Sequence, residues 1–206
     1  MDIFSRATRS RRQAARPLRP AGSDWSEYRS LKDAARAYFL HADIALDAVQ
    51  GVLGRRRVRG FTLERVVDLS EAGASVWQEA AVCDGRRLIL WHSEERADPS
   101  APGRTIVDSS LQVLPLEAIE HVGMRTVVGR DEHGKPVTRG VYLVVSTGTP
   151  HELTAPHADS PDSPLPGSLR FRPESFRFSK SLEDGGPGQM ARLTEFGRLL
   201  GRLVPR

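Results

Sequence analysis

The chain has 206 residues, 39% of them apolar, with 30 Lys+Arg against 26 Asp+Glu and a formal charge of +4. That balance excludes a wholly disordered or collagen-like chain, and its one cysteine excludes an intrachain disulfide scaffold. The length suits one domain of about 150 residues with appendages.

Residues 1–22 carry Arg6, Arg9, Arg11, Arg12, Arg16 and Arg19 against Asp2, a local charge of +5 that leaves −1 on the rest. With Pro17 and Pro20 and no sustained period, this stretch reads as a basic flexible arm able to neutralise phosphates or an anionic surface. Arginine outnumbers lysine 27 to 3, a bias that G+C-rich codons produce without any ligand. No apolar run approaches the roughly 18 residues of a membrane span. The single Cys83 and the lack of a hydrophobic signal core lead to the expectation of a cytoplasmic protein, with peripheral membrane contact as an option.

The segment 23–54 reads as one amphipathic helix over roughly 24–53. Leu31, Ala35, Tyr38, Ala42, Ala45, Val49 and Val52 recur every three or four residues, Ser30 and Asp33 have capping-box spacing, and Gly51 and Gly54 supply the stop. Arg55-Arg56-Arg57-Val58-Arg59, ending at Gly60, is a basic linker, after which the period changes to two. Strands are predicted at Phe61–Leu69, Ser75–Val82, Arg87–Trp91, Thr105–Leu114 and Ile119–Val128, with a sixth through Val141–Val145 that is apolar on both faces and therefore central. Asp84-Gly85 is a hairpin signal, and the loops fall at 93–103 and 131–136. Five prolines make 148–167 a long flexible loop. In the last strand region Leu169 and Phe171 fall on odd positions and Phe176 and Phe178 on even ones. A bulge or turn is therefore expected near Pro173. After Gly185-Gly186-Pro187-Gly188, the spacing of Met190, Leu193, Phe196, Leu200 and Leu203 predicts a closing helix with one apolar stripe.

The fold class expected is α+β: an antiparallel β-sandwich or open barrel of about seven strands closed by a C-terminal amphipathic helix, with an additional N-terminal helix. This order resembles the pleckstrin-homology-like superfold, including its bacterial and GRAM-type members. The resemblance covers roughly 61–206 and is carried by Val113-Leu114-Pro115-Leu116-Glu117-Ala118-Ile119-Glu120-His121-Val122 and by Phe176-Arg177-Phe178 followed by the helix through Phe196 and Leu200. It implies a binding scaffold for acidic lipid headgroups, peptides or protein partners. Headgroup-binding members concentrate Lys and Arg in the first hairpin loop, whereas Leu69–Ala74 carries Glu71 here, so no ligand residues carry over.

The chemistry-bearing residues mostly read as structural. Cys83 lacks a positioned base, since His92 falls at the far end of the next strand. His151, His157, Asp159 and Asp162 have no metal-ligand spacing. Gly185–Gly188 with Lys180 reads as a turn and helix start more readily than as an anion cradle, because Asp184 stands beside it. Periodicity does not fix whether Trp77 and Trp91 share a face. No cofactor or metal is expected.

The functional expectation is a non-enzymatic binding or scaffold module for a protein partner or an acidic membrane surface. The alternative is a nucleic-acid-associated protein using the arm and linker. Candidate anion- or phosphate-contacting residues are Arg6, Arg9, Arg11, Arg12, Arg55, Arg56, Arg57 and Arg59. Tyr38 and Phe39 are the candidate partner-binding residues, with homodimerisation through the same helix as an option.

Overall fold

The computed structural model describes residues 24–70, 73–98, 100–101, 103–154 and 170–205. After a 3₁₀ turn (Trp25–Glu27) come α1 (Leu31–Tyr38) and α2 (Ala42–Leu53), then β1 (Gly60–Ser70), β2 (Gly73–Cys83), β3 (Arg87–Ala97) and β4 (Thr105–Pro115). A second 3₁₀ turn (Leu116–Ala118) leads to β5 (Ile119–Arg130), β6 (Pro136–Thr154), β7 (Arg170–Ser181) and the closing helix α3 (Gly186–Leu203). The fold is α+β, with two antiparallel sheets ordered β1-β2-β3-β4 and β5-β6-β7.

Two cores share the first sheet. Alternate residues of one strand serve each, as the two-residue period requires. Ala81, Cys83, Leu88 and Leu90 face the second sheet, where Val141, Leu143, Val145 and Phe178 meet them. The α3 stripe of Met190, Leu193, Phe196 and Leu200 closes that core, with Leu203 packed at its edge. Gly197 allows the close approach, since a Cβ there would stand 2.6 Å from Met124 Sδ. The opposite face carries Phe61, Leu63, Ala80, Val82, Ile89 and Trp91, and the N-terminal helices cover it through Ala35, Tyr38, Phe39, Val49 and Leu53.

The single N-terminal helix expected from periodicity is two helices. Ser30 Oγ caps α1 by accepting from the Asp33 N–H (3.1 Å) and donating to Asp33 Oδ2 (2.6 Å). At the other end the sheet captures the backbone. Arg65 Nη1 donates to the Tyr38 carbonyl (2.8 Å), and the Leu40 N–H donates to Gln78 Oε1 (2.6 Å). Phe39 is then extended, and α2 restarts in a phase that preserves the apolar spacing. Periodicity alone does not separate the two cases.

Elsewhere the strands run longer than expected: β3 reaches Ala97, and β6 extends through Thr154 into the segment expected to be loop. Residues 155–167, the rest of that segment, lie outside the described residues, as do 168 and 169. The β2–β3 turn contains three residues, Asp84 to Arg86, and not two, with Gly85 at φ 93°. The expected irregularity near Pro173 is present: the register shifts on both sides of the Pro150–Pro173 pair, where neither residue has an N–H to give the ladder. β6 is central to its sheet, but among the described residues only one of its faces is buried. Val141, Leu143 and Val145 are buried, whereas Tyr142 is exposed. Trp77 and Trp91 point to opposite faces, at 36% and 1% exposure.

Candidate functional site: a cationic groove between α2 and α3

The linker that follows α2 returns the chain to the sheet, and the Arg59 N–H extends the β1–β2 ladder by donating to the Cys83 carbonyl (2.7 Å). This places Arg57, Val58 and Arg59 in the lining of a groove of about 760 Å³. Leu46, Val49 and Leu53 of α2 form one wall, and Phe196 and Leu199 of α3 form the other. Gly60 lies at the base: a Cβ there would stand 2.6 Å from Leu199 Cδ2, so a larger residue would push into the α3 wall. Around this apolar interior stand Arg29, Lys32, Arg57, Arg59, Arg192 and Arg202, with Glu195 as the one lining carboxylate among the described residues.

Arg192 is positioned before any ligand arrives. Its guanidinium lies 4.9 Å from the Phe61 ring centroid and 5.8 Å from that of Trp25. Such stacking uses the guanidinium face and leaves its N–H edges for an acceptor. Cations gathered over apolar surface in this way favour a ligand that is negatively charged and partly apolar.

The structure separates the residues that the sequence grouped. Arg57 and Arg59 line the groove; Arg55 is exposed away from it, and Arg56 Nε lies 3.9 Å from Asp84 Oδ2. Asp84 is committed to the turn. Burial alone would raise its carboxyl, but the Arg86 and Arg87 N–H groups and the Arg87 guanidinium hold it below the usual range. Arg6, Arg9, Arg11 and Arg12 lie outside the described residues. Tyr38 and Phe39 are not at a partner-facing surface. They are 7% and 3% exposed, with Phe39 against Trp91 (5.6 Å between centroids) and Arg65 over Tyr38 (5.1 Å). Sequence reasoning missed Arg29, Lys32, Arg192 and Arg202, which belong to elements far apart in the chain. The available signal was Arg192 and Arg202 bracketing Leu199 along α3, beside the apolar stripe rather than in it.

The start of α3 already faces a carboxylate of this chain. A Cβ on Gly188 would meet Ser26 Oγ and would stand 2.7 Å from Asp24 Oδ2. Lys180 points elsewhere. Its Nζ is buried 3.9 Å from Glu64 Oε1 and 6.0 Å from the Tyr38 centroid, with no hydrogen-bond acceptor among the described residues. Burial pushes the Glu64 carboxyl up to about 7 against the pull of Lys180, and pushes Tyr38 up to about 12 with help from Asp184. This cluster ties β1 to β7.

A second cavity, about 380 Å³, opens between the sheets and is lined by Leu90, Phe176 and Phe178 with Glu79, His92 and Ser110. The last three are cross-strand neighbours, and His92 Nδ1 lies 3.2 Å from Glu79 Oε1. No hydrogen bond joins Ser110 to His92 among the described residues. Cys83 is buried in the inter-sheet core, and burial pushes its thiol up. Among the described residues, no three His, Cys, Asp or Glu side chains gather to hold a metal, and no helix is long and apolar enough to cross a membrane. His157, Asp159 and Asp162 lie outside the described residues, as does the His151 side chain.

Compared with family models, curated proteins and solved structures, the chain matches none.

Proposed function

We propose that this chain is a non-enzymatic binding module of pleckstrin-homology-like build, whose groove between α2 and α3 receives an acidic segment of a protein partner. One observation carries the reading: among the described residues, six cationic side chains border a partly apolar groove that contains one carboxylate. Support for the build comes from the four-plus-three antiparallel strands with a helix closing the space between them. A protein segment suits the site better than a bilayer because the apolar surface is recessed. Among the described residues, none of the exposed large apolar side chains, such as Ile44, Met124 or Leu182, lines the groove.

The test is an NMR titration of the ¹⁵N-labelled full chain with a random Glu/Tyr copolymer, with phosphatidylglycerol vesicles and duplex DNA as comparators. Shifts centred on Arg57, Arg59, Arg192 and Arg202, lost in the double variant Arg57→Glu/Arg202→Glu, are expected for the copolymer. Stronger groove-dependent binding of vesicles or DNA would replace the protein partner with a membrane or a nucleic acid. Shifts confined to other surfaces would remove the groove from the function altogether.

A further inference from the structure

We infer that the segment held in the groove is an α-helix of about two to three turns, acidic along its flanks and apolar along one stripe; this rests on the reading of the groove as an acidic-partner site. Both walls are helices, and both present side chains at helical spacing. Leu46, Val49 and Leu53 are separated by three and four positions on α2, and Arg192, Phe196 and Leu199 by four and three on α3. Rows of that kind are the grooves into which residues i, i+3, i+4 and i+7 of another helix settle.

The dimensions agree. At about 1.5 Å per residue, Leu46–Leu53 spans roughly 10 Å and Arg192–Arg202 roughly 15 Å. A helix about 10–12 Å wide and of those lengths occupies roughly 800–1,700 Å³. A groove of about 760 Å³ therefore amounts to roughly 45–95% of that volume, room for one such helix and no more. A segment added as a β-strand would instead need a strand edge to pair with, and β1 contributes only Gly60 and Phe61 to the lining. The charges select the flanks: Arg57 and Arg59 of the linker and Arg192 and Arg202 of α3 call for carboxylates beside the apolar stripe.

Three peptides of about twelve residues and identical length test this by fluorescence anisotropy with the full chain. One is a capped helix with Leu at i, i+3, i+4 and i+7 and Glu or Asp on both flanks. The second carries two central prolines, and the third scrambles the stripe. The helical peptide is expected to bind at least about tenfold more tightly than either control. Arg57→Glu/Arg202→Glu weakens it, and the exposed-site change Glu195→Lys tightens it about two- to fivefold. Equal binding of the proline peptide, still abolished by Arg57→Glu/Arg202→Glu, would overturn the helix while leaving the acidic-partner site intact. Failure of all three to bind would also overturn the helix. Binding indifferent to both the reversal and Glu195→Lys would overturn the site as well as the helix.

Discussion

The groove and the β1–β7 cluster use the same kinds of charge for opposite ends. In the groove, Arg29, Lys32, Arg57, Arg59 and Arg202 stand exposed around one carboxylate. In the cluster, Lys180 is 2% exposed and faces Glu64 and the Tyr38 ring from 3.9 and 6.0 Å. Exposed cations retain their hydration and have little effect on stability, so they are free to be spent on a ligand. A buried ammonium has lost its hydration and is tolerated only through its surroundings, which makes it part of the fold. Position relative to solvent, rather than residue type, separates a binding charge from a structural one.

Charge reversal at each place gives the largest contrast. Lys180→Glu would put a second carboxylate against Glu64 at a site closed to water, and the expected cost is at least about 4 kcal/mol, enough to unfold a marginal domain. Arg57→Glu/Arg202→Glu, on exposed side chains, should change stability by no more than about 0.5 kcal/mol per site. Urea denaturation of both variants makes the comparison. A folded, unperturbed Lys180→Glu protein would show that the cluster is open to solvent and erase the distinction.

The pH dependence of stability should belong to the cluster and not to the groove. Glu64 is raised to about 7 in the fold, first by burial and then by Glu79 and Asp184, with Lys180 opposing; an unperturbed glutamate carboxyl titrates at 4.5. The unfolded chain therefore releases this proton first as pH rises. The stabilisation is complete below about 4.5 and is lost as pH climbs through about 7, by at most about 3 kcal/mol. Glu64→Gln cannot ionise, so its denaturation midpoint should stay flat over that interval and exceed the unmodified protein's above pH 7. A parent midpoint that rises from pH 5 to 7, with the Gln variant following it, would place the ionisation elsewhere.

The sequence disclosed the elements that rest on local pattern. The α3 stripe and the strands after Gly60 came from spacing that any packed helix or sheet must satisfy. What stayed hidden depends on contacts between distant residues. The break after Tyr38 is imposed by Arg65 and Gln78, which lie on strands not yet formed when the helical period is read. For the same reason the linker arginines looked equivalent: only the fold turns Arg56 toward Asp84 and leaves Arg57 and Arg59 at the groove. Tyr38 and Phe39 were legible as apolar but not as interior, because an amphipathic stripe does not say whether its cover is its own sheet or another molecule.

Arg192 gives the finest test, since it belongs to both regimes. Its guanidinium lies over Trp25 and Phe61, while its charge borders the groove. Arg192→Ala removes both, and the expected loss is about 1–2 kcal/mol of stability together with weaker binding of the acidic helical peptide. Arg192→Met restores an apolar stem over the two rings without the charge. Stability should return to within about 0.5 kcal/mol of the parent while peptide affinity stays low. Denaturation and anisotropy on the same preparations resolve the two roles. If Arg192→Met recovers affinity along with stability, the residue acts on the groove only by holding Trp25 and Phe61 in place, and the charge that attracts the ligand resides on Arg57, Arg59 and Arg202.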